Sequence, residues 1–498
     1  MGNLLEIRNV SKRFAGVKAL SDVSMDIREG EIHCLAGENG SGKSTLIKVI
    51  SGVYEPNEGE VVLNGNTYTK LTPQQSMKEG VQIIYQDFSL FPNLTVAENI
   101  AMNHEHIEGH KFVSWRRIRE TAKRAVEMIN FEVDLEEKVE KLTVADKQLV
   151  AICRAIINDA KLLIMDEPTT ALTRKEINKL FEIVKELQAK GMSVLFVSHK
   201  LDELFEISQR FTILRSGEKI VTAETSELDN DKFVYYMTGR KLEEAATVAE
   251  VDPDSVPIIE VKNLCMQKAL KDISFTLRRG EILGIAGLLG SGRTELALTL
   301  FGYYKATSGE IRMNGKPVKF NNIQSAIASG VGLVPEDRLT EGLIMRQTIA
   351  NNMTVSTIDS HKGNHGALDR ARMRTDVDAW IQNLKIKVAD PDDKITALSG
   401  GNQQKVVLAK WLMDENLKLL ILNGPTVGVD IGAKFDIHSI LRELAKQGLG
   451  VIIISDDIPE LLKTSTRVLI MRAGRLTDEL NPGNVTNEEL MSLMVADA

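Results

Sequence analysis

The sequence predicts an α/β protein built from two tandem domains, each with a mainly parallel β-sheet. Short apolar runs alternate with helical patterns, as where Leu162–Met165 and Val194–Val197 flank the stretch 176–190. Such alternation is typical of strand–helix–strand units whose strands are buried on both faces. The same arrangement recurs later in the chain, with Leu419–Leu422 and Val451–Ile454 in place of the two strands.

The two halves of the chain share motifs in the same order, which indicates an internal duplication. The segment Glu29–Ile32 recurs as Arg279–Ile282, 250 positions later. Gln86 corresponds to Glu336 at the same spacing, which extends the match well beyond one motif. One structural unit is therefore expected twice.

The boundary between the halves is predicted from composition. Residues 242–257 are acidic, contain prolines and have no apolar period, which is typical of a linker. We therefore expect one domain over residues 1–241 and a second over residues 258–498. The patterns over 98–160 and 350–416 are mostly helical and predict a helical lobe inserted in each domain.

Composition narrows the class of protein. The 498 residues are 43% hydrophobic, carry a net charge of -8 and include only 5% aromatic residues. No apolar run of 18 residues and no signal peptide are evident, so we expect a cytosolic protein. The three cysteines are scattered, which argues against disulfides or a zinc site. The acidic balance predicts no nucleic-acid partner.

A glycine-rich stretch between a predicted strand and a predicted helix fits the pattern G-x-x-x-x-G-K-[ST] without mismatch. Its residues are Gly37, Glu38, Asn39, Gly40, Ser41, Gly42, Lys43, Ser44 and Thr45. The glycines allow backbone N–H groups and the following helix N-terminus to point at phosphates. Lys43 adds a positive charge, and the Ser44 hydroxyl is a Mg²⁺ ligand in such loops. A glycine-rich turn without a ligand is the alternative, and the flanking strand and helix oppose it.

Two carboxylates, Asp166 and Glu167, directly follow a predicted strand, at the sheet edge where ligands of parallel sheets bind. Asp166 can hold Mg²⁺, and Glu167 can orient and deprotonate an attacking water. The alternative is a solvated pair of acids. His199 ends the next strand and could contact a γ-phosphate, although a lone histidine is more often packed or at the surface.

Two further residues are candidates with weaker support. Gln86 follows a predicted strand and can reach Mg²⁺ or the attacking water, although a single glutamine is weak evidence. Phe14 lies in a loop and offers a ring on which adenine can stack. An ordinary core aromatic is the alternative for Phe14.

Together these residues and the segment Leu398–Gln404 resemble the motif set of ABC-transporter ATPases. The resemblance covers essentially the whole chain and implies two tandem P-loop NTPase domains. Each would have a mainly parallel sheet core, an antiparallel β part and an inserted helical subdomain. It also implies ATP and Mg²⁺ as ligands, with each nucleotide lying between the phosphate loop of one domain and the signature segment of the other. The signature residues for the first phosphate loop are then Ser399, Gly400, Gly401 and Asn402.

The second half departs from this pattern at several positions. Arg293 replaces the loop lysine, Asn423 replaces the aspartate, Gly424 replaces the glutamate and Asp456 occupies the histidine position. The family usually keeps Asp-Glu in this second strand, so Asn-Gly is a departure even from its relatives. The partner signature, Leu142–Asp146, has lost its glycines. All these changes fall on one composite site, so we expect one competent ATP site and one degenerate site.

The duplicated form is similar to the fused ATPase subunit of bacterial monosaccharide importers. That resemblance implies two transmembrane permease subunits, a periplasmic or extracellular sugar-binding protein, and a peripheral position on the cytoplasmic face of the membrane. Exposed apolar residues at Phe88–Phe91 are candidates for the permease contact, with core packing as the alternative. A soluble twin ATPase that regulates ribosomes or nucleic acid is the competing hypothesis, and the acidic linker opposes it.

Overall fold

A computed structural model describes residues 2–107, 113–169, 172–198, 200–239, 255–362 and 366–495. The chain divides into two compact units, Met1–Leu242 and Glu243–Ala498. Most of the predicted linker, residues 242–254, lies outside the described residues, so its limits remain a prediction.

The described part of the first unit contains two sheets. A four-stranded antiparallel sheet has the order β2-β1-β4-β5, and a six-stranded sheet has the order β10-β9-β3-β8-β7-β6. In the larger sheet all neighbours are parallel except β9 and β10. The strands are β1 Asn3–Phe14, β2 Val17–Arg28, β3 Ile32–Gly37, β4 Glu58–Leu63, β5 Asn66–Tyr68, β6 Val81–Ile84, β7 Leu162–Asp166, β8 Ser193–Ser198, β9 Arg210–Arg215 and β10 Glu218–Glu224.

Helices cover the larger sheet of the first unit, because β3 and β8 are buried along their whole length and need cover on both faces. Three of the helices, α3 to α5, pack on one another and form the helical lobe predicted between the phosphate loop and β7. The helices are α1 Lys43–Ile50, α2 Pro73–Lys78, α3 Val96–Ile107, α4 Trp115–Met128, α5 Val144–Ile156, α6 Arg174–Ala189, α7 Leu201–Ile207 and α8 Asn230–Thr238.

The second unit repeats this architecture. Its sheets have the orders β12-β11-β14-β15 and β16-β17-β18-β13-β19-β20. The strands are β11 Ile259–Met266, β12 Leu270–Leu277, β13 Ile282–Ala286, β14 Ser308–Met313, β15 Lys316–Val318, β16 Val331–Val334, β17 Leu419–Asn423, β18 Gly450–Ser455, β19 Arg467–Arg472 and β20 Arg475–Leu480. The helices are α9 Arg293–Leu300, α10 Ile323–Ala328, α11 Ile349–Thr354, α12 Arg370–Asn383, α13 Gly400–Leu412, α14 Ile431–Lys446, α15 Ile458–Thr464 and α16 Asn487–Val495. The predicted fold class, two tandem units with parallel sheets and helical lobes, is confirmed.

A basic side chain near the end of α5 and of α13 holds the loop that follows the edge strand of each sheet. In the first unit Arg154 donates to the carbonyl oxygens of Ser89 and Phe88, at 2.7 and 3.0 Å. In the second unit Lys410, 256 positions later, donates to the Gly342 carbonyl at 2.8 Å. Burial lowers the pKa of Lys410 to about 8. The helical lobe of each unit is thus tied to a loop at the sheet edge.

The lowered pKa of Lys410 predicts a stability that rises with pH between about 8 and 10.5. In that window the folded chain loses the Lys410 proton while the unfolded chain keeps it, so the free energy of unfolding increases, by at most about 3 kcal/mol. Urea denaturation followed by tryptophan fluorescence at several pH values measures this rise. Lys410→Met and Lys410→Arg should both remove that part of the pH dependence, because neither side chain titrates there. An unchanged dependence in both variants would contradict the assignment.

Candidate functional site

The glycine-rich stretch of the first unit forms a tight loop between the carboxyl end of β3 and the first turn of α1. Gly40 and Gly42 have φ angles of 80° and 107°, in the left-handed region that glycine adopts without strain. At Gly37 a Cβ atom would lie 2.5 Å from the Leu214 carbonyl oxygen, so no side chain fits there. The loop therefore needs its glycines both for conformation and for close packing.

Lys43 is buried at the start of α1 and its ammonium turns back onto the loop. Nζ donates to the carbonyl oxygens of Gly37 and Glu38, at 2.7 and 3.0 Å. The Ser41 hydroxyl oxygen lies buried inside the same loop with no hydrogen-bond partner among the described residues. A loop that holds a cation and an unsatisfied hydroxyl beside a helix N-terminus is suited to an anion.

Two of the three residues predicted to hold a metal ion, Ser44 and Asp166, lie on the first helix and at the end of a strand of the larger sheet. Ser44 is exposed on the first turn of α1, and Asp166 is half-buried at the end of β7. Burial and the neighbouring Glu167 raise the pKa of Asp166, while Lys43 and Lys48 act in the opposite direction. A carboxylate whose charged form is disfavoured by burial is one that a bound cation would stabilise. The donor set, one hydroxyl and one carboxylate, fits Mg²⁺.

Glu167 stands in an unusual backbone conformation directly after Asp166. Its φ angle is 48°, in the left-handed region that costs a residue with a Cβ about 1 kcal/mol or more. Its backbone N–H donates to the Val197 carbonyl at 3.1 Å, which ties the end of β7 to β8. Strained backbone at a strand end that carries chemistry is typical of functional sites.

The remaining predicted residues of the first unit are Gln86, His199 and Phe14. Gln86 is exposed just after β6, at the same edge of the sheet as Asp166. His199 lies outside the described residues, so its role remains a prediction.

Phe14 ends β1 and is 37% exposed, so one part of its ring is available to a ligand. Its ring packs edge-on against Tyr54, with the ring centroids 5.1 Å apart. Lys12 places its ammonium 5.2 Å from the Phe14 centroid and hydrogen-bonds to the Glu55 carbonyl at 2.6 Å. Sequence reasoning missed Tyr54 and Lys12, because the loop that brings them to Phe14 leaves no pattern in the sequence.

A buried carboxylate, Glu203, also went unnoticed in the sequence. It accepts hydrogen bonds from Thr169 and Ser198, each at 2.5 Å. Lys200 forms an ion pair with it at 3.0 Å. Glu203 thereby links the segment after β7 to the last residue of β8. The only signal in the sequence was its position shortly after His199.

In the second unit, the signature segment begins α13. Ser399 precedes the helix, and its hydroxyl accepts a hydrogen bond from the Asn402 amide at 2.9 Å. Asn402 also accepts from the Lys387 backbone N–H at 3.0 Å. A Cβ on Gly401 would collide with Ala433 on α14, and one on Gly400 would lie 2.8 Å from the Arg338 guanidinium. Both glycines are therefore needed for packing within this unit.

Arg338 braces the signature segment and was not singled out as a support from the sequence. Its guanidinium donates to the carbonyl oxygens of Val427 and Gly428, at 2.9 and 3.3 Å, and to Gln403 at 3.4 Å. Burial lowers the pKa of Arg338. The start of α13 and the loop before α14 are held together by this one side chain.

The second phosphate loop keeps the backbone and the buried serine of the first, but Arg293 replaces Lys43. Gly290 and Gly292 have φ angles of 83° and 101°, close to those of their counterparts. The Arg293 guanidinium donates to the Gly287 carbonyl at 2.5 Å and pairs with Asp456 at 3.3 Å. Where the first unit has a carboxylate pair, the amide of Asn423 lies 3.4 Å from the Thr294 hydroxyl.

Gly424 replaces Glu167 in the same backbone conformation, with a φ angle of 58°. Its N–H donates to the Ile454 carbonyl at 2.8 Å, which repeats the bond made by Glu167. The strained position is thus kept, but the side chain that could act on water is absent there.

The segment Leu142–Asp146 of the first unit forms an ordinary helix start. Thr143 caps α5 by accepting from the Asp146 N–H at 3.1 Å, and its hydroxyl donates back to the Asp146 carboxylate at 2.8 Å. Val144 is 39% exposed where the second unit has Gly400. This helix start therefore has side chains at two positions where the other has glycines.

The fold and the two loops define the class of the protein as a duplicated P-loop nucleotide-binding protein. Comparison with known families gives a match to the ABC transporter family over residues 20–170 and 270–427. The chain therefore belongs to the ABC transporter family, as the ATP-binding part, and the resemblance noted from the motifs is confirmed.

Full-length relatives support the same assignment. The chain is 41% identical to the ribose import ATP-binding protein RbsA of Clostridium perfringens, with 99% of this chain and 98% of the relative covered. It is 40% identical to a putative ribose/galactose/methyl galactoside import ATP-binding protein of Agrobacterium fabrum, with 98% and 96% covered.

A crystallised ATP-binding cassette in its ADP conformation is 26% identical over 47% of this chain and 98% of its own, with a TM-score of 0.43. Among the described residues, no helix has the length and apolar character needed to cross a bilayer.

The positive φ angle of Glu167 leads to a stability prediction. Glu167→Gly should raise the free energy of unfolding of the first unit by about 1 kcal/mol, because glycine adopts this conformation without strain. Thermal or urea denaturation of the full chain measures the change. The matched control is Glu182→Gly, in the exposed middle of α6, which should lower the stability by about 1 kcal/mol. A loss of stability at both positions would show that the Glu167 backbone is not strained.

Proposed function

We propose that the protein is the ATP-hydrolysing, energy-coupling subunit of an ABC importer for monosaccharides. The observation that carries this proposal is the complete set of phosphate loop, Asp166 and Glu167 in the first unit, within a chain whose relatives are named as ribose and galactose import proteins. Binding of nucleotide follows from the family. The assignment of each residue and of the sugar class belongs to the proposal.

In the first unit, ATP binds with its phosphates on the loop Gly37–Thr45. Loop N–H groups and the N-terminus of α1 face the phosphates, and Lys43 exchanges its bonds to two loop carbonyls for phosphate oxygens. Ser44, Asp166 and Gln86 would hold Mg²⁺, which when bound offsets the negative charge of the phosphates. Phe14, supported by Tyr54, stacks on the adenine.

Hydrolysis in this proposal depends on Glu167. Its carboxylate orients a water for in-line attack on the γ-phosphorus and takes up the proton as the new P–O bond forms. The bond to the bridging oxygen breaks, and ADP leaves as the other product. His199 contacts the γ-phosphate and steadies the charge that develops there.

The signature residues Ser399, Gly400, Gly401 and Asn402 complete the first ATP site in our proposal. This pairing follows from the family resemblance. It is supported by the start of α13, where Gly400 and Gly401 carry no side chains. The corresponding helix start at Val144 carries side chains, which supports a single competent site per chain.

The partners follow from the same proposal. Two membrane-spanning permease subunits would carry the sugar, and a sugar-binding protein outside the membrane would deliver it. The chain itself would lie on the cytoplasmic face, attached through the permease. Phe91 is 57% exposed, while Phe88 and Leu90 pack against the core of the helical lobe. The permease contact proposed here therefore rests mainly on Phe91.

Substitutions in the two loops test the single-site proposal. Lys43→Ala and Glu167→Gln should each lower ATP turnover by about 100-fold or more, because they remove a phosphate contact and the general base. Arg293→Ala, the matched change in the second loop, should keep most of the turnover. Phosphate release by the purified chain, with its permease where needed, gives the rates. Equal losses from the substitutions in both loops would contradict the proposal, as would two vanadate-trapped ADP molecules per chain.

Cell fractionation separates the importer from the competing regulator. As an importer subunit the protein should sediment with membranes and be recovered with a permease, and deletion of the permease gene should release it. A regulator of ribosomes or nucleic acid would instead bind RNA and detach as salt is raised. The names of the relatives and the net charge of -8 do not favour the regulator. Recovery with ribosomes at low salt and not with membranes would reject the importer function.

A further inference from the structure

The second phosphate loop keeps the backbone needed to hold a phosphate group. Gly290 and Gly292 repeat the φ angles of Gly40 and Gly42 within a few degrees. The Ser291 hydroxyl is buried and has no hydrogen-bond partner among the described residues, as is true of Ser41 in the first loop. An unsatisfied buried hydroxyl repeated in both loops indicates that each loop is shaped for a ligand that supplies hydrogen-bond acceptors or donors.

An anionic side chain, Asp456, lies next to this loop. Asp456 follows β18, and its carboxylate pairs with the buried Arg293 guanidinium at 3.3 Å. Arg293 also donates to the Gly287 carbonyl at 2.5 Å. The positive charge of the loop is therefore paired with a carboxylate of the same unit that is itself 64% exposed.

Other features of the second unit also disfavour a third phosphate there. A cavity of about 420 Å³ adjoins the loop, and its lining includes Thr294, Asn423, three acidic residues and one basic residue, namely Glu336, Asp337, Glu341 and Arg338. A hydrogen bond from Thr340 lowers the pKa of Asp337. Asn423 brings no charge to replace the aspartate that would hold a metal ion. The acidic residues of this lining outnumber its one basic residue, Arg338, which already donates to the Val427 and Gly428 carbonyl oxygens, so the cavity disfavours a γ-phosphate.

We propose that the second loop is selective for a nucleoside diphosphate and that Asp456 determines this selectivity. The loop holds the β-phosphate through its N–H groups and Arg293, and the Asp456 carboxylate takes the place of the γ-phosphate. ADP is therefore retained in the second unit, while ATP is used in the first. This inference rests on the proposed function for the identity of the nucleotide, but its geometry lies entirely within the second unit.

Calorimetric titration of the full chain tests the selectivity. The first site is disabled by Lys43→Ala together with Phe14→Ala, and ADP and ATP are titrated separately in the presence of a chelator. ADP should bind at least about tenfold more tightly than ATP, because a γ-phosphate would lie against the Asp456 carboxylate. Adding Asp456→Asn should strengthen ATP binding by about tenfold and close most of that gap. The matched control is Glu415→Gln, which removes an exposed charge of the same unit after α13 and should leave both affinities unchanged.

Three results would overturn the inference: equal affinities for the two nucleotides, no binding of either, or a preference for ADP that Asp456→Asn does not alter. Photolabelling of the unsubstituted chain with azido-ADP and azido-ATP, followed by peptide mapping, covers the case in which the disabled variant does not fold. Label from azido-ADP should then exceed label from azido-ATP in peptides of residues 258–498. ATP hydrolysis by the unsubstituted chain is measured in parallel. Normal turnover without ADP selectivity rejects this inference alone, whereas absent turnover with selectivity rejects the proposed function alone.

Discussion

The buried parallel sheet of each unit is the constraint on which the candidate sites depend. Strands β3, β7 and β8 lie side by side with nearly every residue buried, so their carboxyl ends cannot shift relative to one another without breaking the core. The phosphate loop follows the first of these strands and the carboxylate pair follows the second. Interactions local to that edge, such as the hydrogen bonds of Glu203, then fix the short connections.

Much of this arrangement could be predicted from the sequence because its signals are local. The loop motif, the strand that precedes Asp166 and the duplication each depend on residue order alone. The contacts of Tyr54, Lys12 and Arg338 could not be predicted, because each joins segments that only the folded chain brings together. The left-handed backbone of Glu167 could not be predicted either. It accompanies a hydrogen bond to the Val197 carbonyl that forms only in the folded chain.

Around the phosphate loops and the strand ends beside them, the two units differ mainly in side chains. The sheet order, the φ angles of the loop glycines and the backbone bond after β7 or β17 are repeated almost unchanged. A unit that had merely lost its function would be free to lose this backbone as well. Its retention, with Gly424 at the strained position, is what a unit still required for folding and for ligand binding would show. The change from Lys43 to Arg293 therefore leaves the loop backbone intact. In our proposal it alters which phosphate groups the loop binds.

The partners of the basic side chain in each loop, Lys43 or Arg293, account for the different functions that we propose for two loops with the same backbone. In the first unit the Lys43 ammonium donates hydrogen bonds to two loop carbonyl oxygens, and phosphate oxygens are stronger acceptors for a charged donor. In the second unit the Arg293 guanidinium already pairs with the Asp456 carboxylate. An incoming phosphate must therefore compete with another anion for Arg293. The gain on binding a further anion is correspondingly smaller. One aspartate beside a retained loop thus disfavours an additional phosphate there, in line with the proposed preference of the second loop for a diphosphate.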